Sequence, residues 1–106
     1  MSEIQDLMKR IAEFANERDW DQFHTPKNLA MALAGEAGEL VAEFQWLTAD
    51  ESRLDAMSQK KISDVELEIA DVAIYLLRLA DKLEVDIVGV VKKKLEINET
   101  RFPTVA

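Results

Sequence analysis

Two stretches of this chain are apolar around almost their whole helical circumference, and each carries a pair of acids in its middle. The first is Leu29-Ala-Met-Ala-Leu-Ala-Gly-Glu36-Ala-Gly-Glu39-Leu-Val-Ala-Glu43-Phe44, and the second is Val65-Glu-Leu-Glu68-Ile-Ala-Asp71-Val-Ala-Ile-Tyr75-Leu-Leu. A helix that is apolar on every side is buried on most of them, so both segments belong inside a helical assembly. Residues three apart share a helix face. Glu36 and Glu39 therefore form one stripe, extended by Glu43, and Glu68 and Asp71 form another, extended by Tyr75. Like charges at that spacing repel, and an unpartnered buried carboxylate is costly enough to take up a proton instead. Four of them on facing apolar helices stay ionised only with cations between them. Oxygen ligands without Cys or His suit a hard divalent ion, Mg²⁺ or in its place Mn²⁺.

Other readings of the acids are weaker. A solvated acidic stripe accounts for one Glu-x-x-Glu, which by itself carries little information, but not for two pairs inside all-round apolar helices. A di-iron carboxylate bundle places a Glu-x-x-His pair on each of two helices. This chain has one histidine, His24, in an expected loop. Gly35 and Gly38 each cost roughly 1 kcal/mol relative to alanine inside a helix; close helix approach or ligand access beside the carboxylates would explain them.

The rest of the chain is also helical in pattern. With three Gly and two Pro, it has few of the residues that punctuate β-rich proteins. A first helix is expected from a Ser2 cap to Glu17, with Ile4, Leu7, Met8, Ile11, Ala12 and Phe14 at helical spacing. Arg18 to Pro26 reads as a loop rich in aromatic and polar residues. Thr25-Pro26 starts the second helix, which is expected to reach about Trp46. Thr48 to Met57 reads as a connector with room for one short turn. Ser58 or Ser63 starts the third helix, which ends near Lys82; Ser63 with Glu66 has capping-box spacing. Asp86 caps a fourth helix through about Thr100, stopped by Pro103. The expected fold is all-α, a four-helix bundle in one domain spanning residues 1–106.

Charge and length narrow the function classes. A net charge of −8 on 106 residues argues against nucleic-acid polymers, whose backbones need basic stripes. The best candidate for an apolar span, Ile69 to Ala80, is broken by Asp71 and Arg78, so no membrane span is expected. Acids within Met1 to Asp6 speak against a secretory signal, and a cytoplasmic location is the default. A chain this short buries a limited share of its surface, so a core shared between copies would help it.

Glu36-x-x-Glu39, a gap, then Glu68-x-x-Asp71 resembles the signature of the MazG-like all-α nucleoside triphosphate pyrophosphohydrolases. The flanks Glu17-Arg-Asp-Trp20-Asp-Gln-Phe-His24, Pro26-Lys-Asn28-Leu, Gly35-Glu-Ala-Gly-Glu-Leu, Phe44-Gln-Trp46, Asp71-Val-Ala-Ile-Tyr75-Leu and Lys94-Leu-Glu-Ile-Asn98 are similar to the compact branch that includes dCTP pyrophosphatases and short bacterial MazG proteins. The resemblance runs from about Ile4 to Pro103. It implies Mg²⁺-dependent cleavage of a (deoxy)nucleoside triphosphate, dCTP or dATP, to the monophosphate and pyrophosphate. It also implies a house-cleaning role and a dimer or dimer of dimers, with sites drawn from more than one subunit.

Roles follow for single residues. Glu36, Glu39, Glu68 and Asp71 are the expected metal ligands, and Glu39 is the carboxylate expected to take a proton from water. Lys94, Asn98 and Arg101 share one polar face of the fourth helix and can meet phosphate or sugar oxygens. The alternative is that Lys92 to Lys94 merely favour the helix dipole and solubility. Trp20, Phe23, His24, Phe44, Trp46 and Tyr75 are candidates for a base slot, against core packing as the other use of an aromatic. Trp20 and Trp46 stand out because both lie at expected helix–loop junctions. His24 and Asn28 can hydrogen-bond base or sugar, although His24 could equally serve the start of the second helix. Two other functions remain conceivable on this fold: a non-catalytic nucleotide or metal sensor, and a helical interaction module.

Overall fold

The computed structural model describes residues 2–105. It contains helices α1 (Glu3–Glu17), α2 (Pro26–Phe44), α3 (Gln59–Lys82) and α4 (Ile87–Arg101). Two 3-10 turns, Asp21–Phe23 and Leu54–Ala56, lie in the connections, and there is no strand among the described residues.

The caps explain most of the boundaries. Ser2 and Gln5 form a reciprocal capping box at 3.2 and 3.1 Å. Thr25 Oγ1 accepts the Asn28 N–H at 3.2 Å, and Pro26 takes the first helical position. Ser58, not Ser63, starts α3: its hydroxyl accepts the Lys61 N–H at 3.1 Å, which puts Ser63 inside the helix. Asp86 stands at the N-cap position of α4, but its carboxylate makes no capping hydrogen bond. Helix α2 stops at Phe44, two residues before Trp46.

Helices α1 and α3 end in the same way. Asp19 and Glu84 take positive φ, 58° and 55°. The Trp20 N–H reaches back to the Ala15 carbonyl at 2.9 Å and the Val85 N–H to the Ala80 carbonyl at 2.8 Å. These are Schellman closures with a non-glycine residue at the left-handed position, a conformation that costs roughly 1–2 kcal/mol. The first turns the chain into the Trp20–His24 segment, and the second turns it out of α3 into α4.

Packing is uneven. Helix α2 lies along α3, and α1 packs on α3. Leu29 of α2, Val65, Leu77 and Ala80 of α3, and Ala15 of α1 are buried. Helix α4 makes only sparse contact with the other three. Its Val88, Val90, Val91, Leu95 and Ile97 are exposed, as are Leu67, Ile69 and Leu76 of α3 and Met31 and Val41 of α2. The radius of gyration, 16.8 Å, exceeds the roughly 13 Å of a compact domain this long. A single chain thus leaves unburied much of the apolar surface that its pattern provides. A Cβ at Gly35 or Gly38 would meet nothing within 4 Å, so close helix approach within one chain does not explain these glycines; open space does.

Candidate functional site

The α2–α3 contact brings the two acidic stripes together. Glu36, Glu39 and Glu68 each place a carboxylate oxygen within 4.8 Å of the others. Asp71 lies close enough to Glu36 and Glu68 to repel both. Glu36 Oε2 and Glu68 Oε2 are buried and have no hydrogen-bond partner, the kind of orphaned polar atom that native structures otherwise satisfy. Burial, and next the adjacent Glu39 carboxylate, raise the Glu36 carboxyl above its ordinary 4.5. Burial raises Glu68 likewise, followed by Glu39, Asp71 and Glu43. Glu39 is the most exposed of the three. Glu43, the continuation of the first stripe, is neutralised by Lys61 Nζ at 3.0 Å. What remains is an uncompensated, all-oxygen acidic cluster that could hold a hard divalent cation.

A cavity of about 250 Å³ adjoins the cluster. Glu36 and Asp71 form part of its wall, Phe14, Trp20 and Tyr75 supply aromatic faces, and His24 and Arg78 supply polar atoms. Trp20 meets Phe14 edge to face with ring centroids 5.6 Å apart. The segment carrying Trp20 and His24 is clamped to its neighbours. Arg78 Nη2 donates to Asp21 Oδ1 at 2.8 Å, Lys82 Nζ donates to the same oxygen, and Arg78 Nε donates to His24 Nδ1 at 3.2 Å. The Asn28 side-chain amide donates to the Phe23 carbonyl at 3.0 Å. Burial, and then the Arg78 charge, lower the His24 imidazole below its ordinary 6.5.

Of the residues singled out by sequence, the structure gathers Glu36, Asp71, Trp20, His24 and Tyr75 around one cavity, with Glu39 and Glu68 beside it. Asn28 supports the loop and does not line the cavity. Trp46 is 86% exposed and lies outside it. Lys94, Asn98 and Arg101 sit on α4 and do not reach this cavity within one chain; the Arg101 guanidinium lies 5.0 Å from the Phe102 ring centroid. Arg78 is the residue that sequence reasoning missed. A lone arginine in the apolar run Ile69 to Ala80 was the available signal, and it bore on more than the absence of a membrane span.

Comparison with known proteins agrees with this architecture. The MazG-like family model matches residues 32–105, and the chain belongs to that family. It is 44% identical over 100 residues to dCTP pyrophosphatase 1 of Homo sapiens, covering 94% of this chain and 59% of that protein. It is 43% identical over 100 residues, with the same coverage, to dCTP pyrophosphatase 1 of Rattus norvegicus. The chain thus spans somewhat over half the length of these relatives. A crystal structure of a pyrophosphatase from Archaeoglobus fulgidus superposes with a TM-score of 0.88 at 38% identity, over 98% of this chain and 95% of the other.

The raised carboxyls give a test of the cluster. A carboxyl whose folded value lies above its unfolded 4.5 leaves stability untouched at low pH and destabilises the fold increasingly as pH rises through the folded value. In metal-free buffer at about pH 7.5, Glu68→Gln is therefore expected to melt at a higher temperature than the parent, and the gap is expected to close as pH falls towards about 5. Thermal denaturation of both proteins across that range checks it. A lower melting temperature for the variant, or a gap independent of pH, contradicts the assignment.

Proposed function

We propose that this chain is a divalent-cation-dependent nucleoside triphosphate pyrophosphohydrolase, with Mg²⁺ as the ion and dCTP or dATP as substrate. The observation that carries the reading is the pair of orphaned carboxylate oxygens, Glu36 Oε2 and Glu68 Oε2, beside an aromatic-walled cavity. Membership of the MazG-like family and the likeness to dCTP pyrophosphatase 1 support the reaction class.

Glu36, Glu39, Glu68 and Asp71 would hold the ion. When bound, it supplies neutralisation of phosphate charge and makes water easier to deprotonate. Glu39, the most exposed of the clustered carboxylates, takes the proton as general base. Water supplies the incoming oxygen, and pyrophosphate leaves from the nucleoside monophosphate. Trp20, Tyr75 and Phe14 offer flat faces for the base, and His24 offers a hydrogen bond to it. Lys94, Asn98 and Arg101 lie outside this chain's cavity; in the proposed assembly a second copy would bring them to the triphosphate. The apolar side chains exposed on α4 fit a core shared across a dimer or dimer of dimers. Such an enzyme suits cytoplasmic house-cleaning of the nucleotide pool.

Incubation with a panel of nucleoside triphosphates and Mg²⁺ is expected to release pyrophosphate, fastest from a deoxynucleotide. Loss of a partner that merely orients a metal ligand costs 10–100-fold, so Glu39→Gln and Asp71→Asn are expected to lose roughly a hundredfold or more while keeping their helical circular dichroism. Nucleotide binding without release by the parent chain would instead indicate a sensor.

The assembly is tested by light scattering. The parent is expected as a multimer, and Val91→Asp with Leu95→Asp is expected to shift it to the monomer and abolish turnover together. A fully active monomer refutes the shared site.

A further inference from the structure

Among the described residues, Arg78 is the charged side chain that the fold buries most completely, at 4% exposure. Each of its three guanidinium nitrogens faces a partner. Nη2 donates to Asp21 Oδ1 at 2.8 Å, Nη1 lies 3.5 Å from Asp81 Oδ2, and Nε donates to His24 Nδ1 at 3.2 Å. A guanidinium is always protonated and has no acceptor. The His24 nitrogen it meets must therefore be the bare, accepting one, and a neutral imidazole then carries its proton on Nε2. The same geometry disfavours imidazolium, because a protonated Nδ1 would point a second donor at Arg78.

We infer that Arg78 is a positioning residue that fixes His24 as the Nε2–H tautomer, so that His24 presents one donor and no acceptor to the base of a nucleotide in the adjoining cavity. The base-reading part rests on the proposed function. Both residues line the same 250 Å³ cavity as Trp20, Tyr75, Glu36 and Asp71. A base edge that offers an acceptor, such as the ring nitrogen or carbonyl of cytosine, satisfies the fixed N–H. An edge that offers an amine sets donor against donor and leaves both unpaired in a partly buried site, which is where polar discrimination is strongest. The charges that bear on the imidazole are Asp21 on its own segment and Arg78 and Lys82 on α3, with Glu36 and Asp71 sharing the cavity. Burial and the two cations outweigh Asp21 and lower the imidazole below its ordinary value.

The chain has a single histidine, so long-range proton–nitrogen correlation spectra of the ¹⁵N-labelled full chain report His24 alone. The parent is expected to show a pyridine-like Nδ1 and a pyrrole-like Nε2 at about pH 8. Averaged nitrogens, a proton on Nδ1, or a doubly protonated ring at neutral pH overturns the inference. Arg78→Met is expected to give a mixture of tautomers and to raise KM for dCTP roughly tenfold, with kcat changed only about two- to threefold. A folded variant that keeps the parent tautomer and KM overturns it. Should Arg78→Met not fold, Asp21→Asn at a solvent-exposed position removes the anchoring charge and is expected to move both readouts the same way; unchanged readouts again overturn the inference. Absence of pyrophosphate release by the parent is a failure of the proposed function. Release by the parent with an unmoved KM in the variants is a failure of this inference alone.

Discussion

The face-to-face packing of α2 on α3 is the contact on which the rest of the structure depends. It buries Leu29, Val65 and Leu77, and the same register sets Glu36 and Glu39 opposite Glu68. Apolar burial at roughly 25 cal/mol per Å² favours the contact, while repulsion and desolvation of the carboxylates oppose it. The fold holds the carboxylates in a cluster that, without a cation, leaves two buried oxygens unsatisfied. Stability is given up locally at the point where a ligand can restore it, a pattern typical of functional sites. The small residues around the acids, Ala34, Gly35, Ala37 and Gly38, leave open space beside them.

The aromatic wall is held by different means. The Trp20–His24 segment has no regular structure beyond one 3-10 turn, yet it is tied at three points. The closure of α1 fixes Trp20 through Ala15, Arg78 and Lys82 fix Asp21 and His24, and Asn28 fixes Phe23. An irregular segment carrying binding groups gains precision from anchors of this sort. The anchors all come from the chain itself, and groups held by their own protein lose less entropy when a ligand binds.

Local chemistry in the sequence was a good guide to local structure. Ser2 and Thr25-Pro26 marked helix starts because a capping hydroxyl acts within three residues. The acidic pairs were legible as pairs because spacing along one helix fixes their face; full burial was not legible, since Glu39 is exposed and much of the apolar surface of α2 and α3 stays open in one chain. Ser58 and Ser63 were not distinguishable, since both offer the same hydroxyl; in the structure Ser58 accepts the Lys61 N–H and Ser63 lies within α3. Arg78 escaped notice because its partners, Asp21 and His24, lie 57 and 54 residues away, and no periodicity encodes that pairing. The placement of α4 is the other feature that one chain's pattern does not determine. Its exposed valines, Leu95 and Ile97 belong to surfaces larger than a single copy provides.

The central claim is that Glu36, Glu39, Glu68 and Asp71 form a divalent-cation site. The most direct measurement is anomalous X-ray scattering from crystals of the full chain soaked in Mn²⁺. The account predicts a manganese peak bonded to oxygens of α2 and α3 together, with Glu36 and Glu68 among the ligands. Manganese found only at surface carboxylates, with no anomalous peak between Glu36 and Glu68, would contradict it.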